Sequence, residues 1–157
     1  LFTNGLLIKK QLRDNPIVDQ ITQYFISIDA GTKDVYERVR LGGQWSQLMD
    51  NLTWLKELVS ITGAEVLLKF VLQSANWADM ESFIQLGDSL GFNVVINRLE
   101  NWGTWQDFNQ QDVIGNSQHP DHTRAIDYLK YIYGKYCNQV PKIQINSSLI
   151  QLATEII

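Results

Sequence analysis

Short apolar runs alternate with longer stretches of helical periodicity along the whole chain, and this alternation is what most restricts how it folds. Val66 to Gln73 is the longest strand run. Period two puts Leu67, Lys69, Val71 and Gln73 on one face and Leu68, Phe70 and Leu72 on the other. Phe25 to Ala30 is a second strand, with Ser27 and Asp29 opposite Ile26 and Ile28, and Asn93 to Leu99 is a third. Leu1 to Thr3 and Lys142 to Ile145 read as strands at the two ends. All are mostly apolar on both faces, as parallel strands buried on both sides tend to be.

Helices fall between them. Asn15-Pro16 is a cap and first-turn proline for a short helix through Ile17, Val18 and Ile21. Trp45, Leu48, Leu52, Leu55 and Val59 recur at three- and four-residue spacing, and Gly63 follows where a helix stops. Asn76 is read as the cap of a third helix carrying Met80, Phe83, Ile84 and Leu90, with Gly91 as its stop. Ile126, Leu129, Ile132, Tyr133 and Tyr136 mark a fourth. Strand and helix thus alternate at roughly 30–40 residues, the βαβ pattern of a parallel sheet or barrel. The expected fold is α/β: an incomplete TIM-like (β/α) barrel of about five parallel strands with flanking helices, in one domain over residues 1–157.

Composition narrows the function. The net charge of −4 and the lack of a Lys/Arg cluster give no footprint for nucleic acid. One cysteine, Cys137, rules out an intrachain disulfide framework and a multi-cysteine metal site within this sequence. It fits a reducing compartment, so a cytoplasmic location is expected. No apolar run nears the roughly 18 residues that span a bilayer, and no membrane association is expected. At the start, Lys9 and Lys10 follow the apolar stretch, the reverse of a secretory signal. Leu1 is read as a cut end.

Ligands of parallel α/β folds bind at the carboxyl ends of strands, where turns carry polar groups above a packed core. Here those ends read Thr3-Asn4-Gly5, Ser27-Ile28-Asp29, Gln73-Ser74-Ala75-Asn76 and Arg98-Leu99-Glu100-Asn101. Each finishes an apolar run with hydrogen-bonding groups, and together they predict a pocket. Glu100 to about Asp121 has no periodicity, and long loops of this kind are often functional. His119 and His122 are read as surface or capping residues rather than metal ligands, and Gly42-Gly43 as a hinge. Trp77, Trp102 and Trp105 either stack on a substrate or fill loop bases.

Residues 26 to 55, ISIDAGTKDVYERVRLGGQWSQLMDNLTWL, resemble the middle of radical S-adenosylmethionine (radical SAM) enzymes of the peptide-maturase, SPASM or twitch, type. The shared features are a strand ending in Ser-Ile-Asp, Thr-x-x-x-Tyr-x-x-x-Arg, a Gly-Gly-x-aromatic turn and a helix with Asn-Leu. Thr3-Asn4-Gly5 is similar to that family's third-strand ending. Residues 69 to 105, through the Trp102-Gly103-Thr104-Trp105 loop, are similar to its fifth and sixth strands. The resemblance spans about two-thirds of the chain, in order; its motifs are specific in combination rather than singly.

It implies a cofactor-facing wall of Asn4, Ser27, Asp29, Arg40 and Gln73. Ser27 would stand near the ribose or methionine portion, Arg40 would hold the cofactor's carboxylate, and Gln73 would face adenosine or substrate. Lys69, Arg98 and Trp102 are implied on the substrate side, with a peptide or protein as substrate. Read without the resemblance, Arg40 is a solvated helix-end charge, Asp29 an Asx turn into Gly31-Thr32, and Lys69 the partner of a barrel carboxylate.

The family's Cys-x-x-x-Cys-x-x-Cys loop is absent, and a [4Fe–4S] cluster needs several thiolates. The resemblance therefore implies S-adenosylmethionine and a [4Fe–4S] cluster in a complete parent enzyme, with no cluster and no radical chemistry in this chain alone. Two alternatives stand beside it: a cluster-free nucleotide- or peptide-binding module, and an unrelated barrel enzyme for sugar phosphates or metal-assisted chemistry. An open barrel also leaves apolar strand edges, so a homodimer covering them is expected.

Overall fold

The computed structural model describes residues 1–103, 105–136 and 142–154. Its strands are β1 (Phe2–Thr3), β2 (Gln23–Ser27), β3 (Glu65–Leu72), β4 (Asn93–Arg98) and β5 (Ile143–Ile145). They form one sheet in the order β1-β2-β3-β4-β5, and every neighbouring pair is parallel. The helices are α1 (Ile8–Leu12), α2 (Lys33–Val39), α3 (Trp45–Thr62), α4 (Met80–Leu90), α5 (His122–Tyr136) and α6 (Ser147–Thr154). Short 3₁₀ turns lie at Pro16–Gln20 and Trp77–Asp79. A five-stranded, all-parallel sheet in sequential order with flanking helices is an α/β fold compatible with part of a (β/α) barrel.

Sequential order has a consequence for packing. Parallel crossovers are right-handed, so strands added always in one direction send every connecting helix to the same face of the sheet. That face holds the core. Ile26, Leu68, Phe70, Val94 and Ile96 are buried beneath Leu48, Leu52 and Leu55 of α3, Phe83 and Ile84 of α4, and Leu129 and Ile132 of α5. Gly87 brings α4 close enough to β4 that a Cβ there would collide with Val94 Cγ1.

The opposite face is bare. Phe25, Leu67, Lys69, Val71, Val95 and Asn97 are only half-buried, and Gln144 is exposed. Burial on both faces, the expectation from apolar strands, therefore holds on one face only. The β3 burial pattern alternates strictly between buried and part-exposed, and Lys69 falls on the part-exposed side.

Local signals mostly land as read. Asn15 Oδ1 accepts from the Ile17 N–H and Pro16 opens the turn, though the result is a 3₁₀ segment. Gly63 ends α3 at φ +74°, its N–H bonded to the Val59 carbonyl. Asn76 is a correction. Its side chain caps no helix and instead reaches back into the β2 and β3 strand ends. Helices α1 and α6 give no sequence signal long enough to read.

Candidate functional site at the strand carboxyl ends

Beyond Ser27 the chain must turn off the sheet, and Asp29 makes the turn. Its φ of +57° lies in the left-handed region that disfavours most residues and tolerates Asp. Its N–H donates to the Lys69 carbonyl at 3.3 Å, and its Oδ1 accepts from the Val71 N–H at 2.8 Å, so the side chain extends the β2–β3 ladder past the strand. Its other oxygen pairs with Arg40, 2.6 Å from the guanidinium. Arg40 sits at the carboxyl end of α2, and the alternative of a solvated helix-end charge does not hold. Burial pushes the Asp29 carboxyl above its ordinary range, outweighing the Arg40 charge and the Val71 hydrogen bond, which pull it down.

Two buried residues, Asn76 and Asp79, hold this corner together. Asn76 Nδ2 donates to the Asp29 and Val71 carbonyls, each at 2.9 Å, while its Oδ1 accepts from the Gln73 N–H at 2.8 Å. Asp79 Oδ2 accepts from the N–H groups of Gly31 at 2.6 Å and Thr32 at 3.1 Å. Gly31 can bear no side chain, because a Cβ there would overlap the Phe83 backbone. On the β1 side, Asn51 Nδ2 donates to the Gly5 and Leu6 carbonyls at 2.8 Å, so the Asn-Leu pair of α3 anchors the first loop.

The predicted site residues fall into two cavities. Asn4 and Arg40 line one of about 340 Å3, with Tyr36 and Gly43. Lys69, Arg98 and Trp102 line another of about 390 Å3, with Asn97, Trp105 and Asn146. Ser27, Asp29 and Gln73 line neither. Ser27 is half-buried in register with Lys69, and Gln73 is buried where Asn76 turns the chain. A further cavity of about 280 Å3, between α4, α5 and the starts of β4 and β5, lies at the amino end of the strands, away from these groups.

No family model matches the chain, and no curated protein matches it. Among solved structures, the crystal structure of Streptococcus suis SuiB bound to S-adenosylmethionine matches over 99% of this chain with a TM-score of 0.56 and 10% identity. The match covers 33% of the SuiB chain, so the present sequence spans about a third of that protein's length. At this identity the likeness is one of fold. The fold is shared with a protein that holds S-adenosylmethionine.

Whether the residues suit that cofactor is a matter of their chemistry. Arg40 lines the cavity beside its Asp29 pair, and its buried Nε has no hydrogen-bond partner among the described residues. Asn4 is exposed beside it, its Oδ1 turned back to the Leu6 N–H. The set suits a carboxylate or a ribose. It does not suit an iron–sulfur cluster: the sequence has one cysteine, Cys137, which lies outside the described residues. Among the described residues no three His, Cys, Asp or Glu side chains gather as a metal site. His119 Nδ1 accepts from the Asp121 N–H, and His122 Nδ1 contacts the Val113 carbonyl.

Elsewhere the structure is more specific than the motifs. Arg98 lies 3.4 Å from the buried Asp112, whose other oxygen accepts from the Gly115 N–H. Lys69 has no carboxylate partner among the described residues. Trp77 is packed on by Tyr128 at a steep angle and by Arg124 over its ring. Gly43 closes a turn, its N–H bonded to the Arg40 carbonyl, so the Gly-Gly pair is a tight bend. The long 100–121 loop is pinned by Ser74, whose N–H bonds to the Gln111 carbonyl, and by Val113 and Ile114, which join the core. No described helix is long and apolar enough to cross a membrane.

Proposed function

We propose that this chain is the later part of a radical S-adenosylmethionine barrel and keeps the wall that faces the cofactor. The observation that carries the reading is the Arg40 guanidinium, held by Asp29 and lining a carboxyl-end cavity with Asn4, in a fold like that of a protein holding S-adenosylmethionine. In this reading Asp29 orients the guanidinium, and Arg40 takes the carboxylate of the cofactor's methionine portion. Asn4 and Ser27 contribute polar contacts. Gln73 faces adenosine or substrate. The complete enzyme, with its [4Fe–4S] cluster bound by cysteines outside this sequence, would cleave the cofactor to a 5′-deoxyadenosyl radical and modify a substrate. This chain alone binds and does not react.

Calorimetry with S-adenosylhomocysteine tests the binding half without any cluster. Weak saturable binding is expected, reduced about tenfold or more in Arg40→Gln. Equal binding by the variant removes Arg40 from the role. The alternative of a sugar-phosphate barrel gains no support from the geometry, since Gly42-Gly43 is a closed bend.

A further inference from the structure

We propose that the cavity between β3, β4 and the Trp102 loop is a carboxylate-binding site, separate from the Arg40 cavity. This rests on the proposed function only in placing a substrate here; the ligand chemistry comes from the cavity itself.

Charge decides it. Lys69 rises from β3 on the bare face of the sheet and forms no ion pair with a described residue. Its ammonium stands 5.9 Å from the centroid of the Phe2 ring. Asp29 is near enough to feel its charge but is already committed to Arg40 at 2.6 Å. Arg98, the other cation of the cavity, is matched by Asp112. Lys69 is thus the cation of the cavity that no described carboxylate touches, half-buried where an opposite charge is worth more than in bulk water, while Glu100 of the same lining is exposed to solvent.

Three features favour a carboxylate over a phosphate. Glu100 lines the same cavity and repels a dianion more than a monoanion. The start of α6, which borders the cavity at Asn146, is not free to bind an anion, because Asn146 Oδ1 accepts from both the N–H and the hydroxyl of Ser148. Asn97 has no side-chain hydrogen bond among the described residues, and the Nδ2 of Asn146 likewise has none. Both amides are therefore left to donate to an acid. Trp102 is 78% exposed and Trp105 39% exposed. Neither indole stacks on another described ring, so flat apolar faces flank the cation. A carboxylate on an apolar or planar body uses both parts.

Such an acid is either a small molecule or a peptide side chain. Isothermal titration at low ionic strength distinguishes them, with 4-phenylbutyrate and an N-acetylated, C-amidated pentapeptide bearing one glutamate as probes. The controls are 4-phenylbutyramide and the same peptide with glutamine. Both acids are expected to saturate one shared site, the tighter of the two naming the source, and both controls to bind at least about tenfold more weakly. Lys69→Gln is expected to weaken the acids about tenfold, Lys69→Arg to keep affinity within about threefold, and Asn97→Asp to weaken them by added repulsion. Thermal melting of each variant shows that it is folded. The site is overturned if Lys69→Gln binds as the parent does, if the amides match the acids, if no probe saturates, or if inorganic phosphate competes as well as 4-phenylbutyrate. Displacement by S-adenosylhomocysteine also overturns it, since the acid would then share the cofactor's place. Loss of S-adenosylhomocysteine binding alone leaves this site standing and strikes only the Arg40 reading.

Discussion

At the end of β2, both Asp29 oxygens, the Asn76 amide and the buried Asp79 carboxylate are spent on protein partners. Around the end of β4, the Lys69 ammonium of β3, the Asn97 side chain and the Nδ2 of Asn146 beyond β5 have no hydrogen-bonded partner among the described residues. The two ends lie on adjacent parts of one rim and share one parallel ladder, yet one is closed and the other open. The closed corner fixes the Arg40 guanidinium in place through Asp29, because its neighbours have nowhere else to turn. The open mouth leaves charge and aromatic surface unspent, which is costly in a packed interior and useful only where a ligand arrives.

The largest expected contrast is in stability. Asn76→Ala removes three hydrogen bonds and strands two buried carbonyls and an N–H, so a loss of about 3 kcal/mol or more is expected in urea unfolding. Asn97→Ala, its counterpart at the open end, is expected to change stability by no more than about 0.5 kcal/mol. Equal losses would erase the distinction between the two ends.

Asp112→Ala sharpens it from the other side. The change strands the Gly115 N–H and unpairs Arg98, for an expected loss of about 1–2 kcal/mol. It also adds a second uncompensated cation to the mouth, so inorganic phosphate, excluded from the parent cavity, is expected to bind measurably. A variant that still ignores phosphate would mean Arg98 takes no part in the cavity's charge.

Asp29→Asn probes the closed corner through pH. Burial holds the Asp29 carboxyl above its ordinary value of 3.8, so the folded state grips the proton more tightly than the unfolded chain does. Its contribution to stability is therefore complete below about 3.8 and is lost as pH rises through its higher native value. Asp29→Asn is expected to remove that slope from the urea midpoint measured against pH, while the Val71 N–H keeps an amide oxygen as partner. An unchanged slope would show that another group sets it. The smallest effects belong to Lys69→Gln and Trp102→Ala, each within about 0.5 kcal/mol in unfolding because neither side chain is packed.

Sequence periodicity carried the architecture well because parallel strands and their crossover helices are long and apolar enough to show it: β3, α3 and α4 were all legible. Burial was misread on one face, since half-exposed Leu67, Val71 and Val95 are as apolar as the buried Leu68 and Phe70, and composition does not record which face a helix covers. Of the strand-end residues, Asn4 with Arg40, and Lys69 with Arg98 and Trp102, line two cavities. Asn76 reads in sequence as a helix cap at a strand end rather than as the brace between two strands, and Asp79 and Asp112 give no signal taken singly, because one buried carboxylate looks in sequence like any loop residue. A useful signal was available for two of them: Asn76 and Asp79 fall three apart just after a strand, where turns take polar side chains into the backbone. Asn51 belongs to the Asn-Leu pair of α3, and its two bonds to the β1 loop give that pair a structural role.

The most direct test of the central claim is a nitrogen-resolved NMR titration of the chain with S-adenosylhomocysteine, following the Arg40 Nε–H, the Asn4 side-chain amide and the Trp102 indole N–H. The expected result is a saturable shift at Arg40 and Asn4 with the Trp102 indole unmoved. Shifts confined to the Trp102 indole, or none at Arg40 at saturating ligand, would contradict the assignment of the β2 corner to the adenosyl ligand.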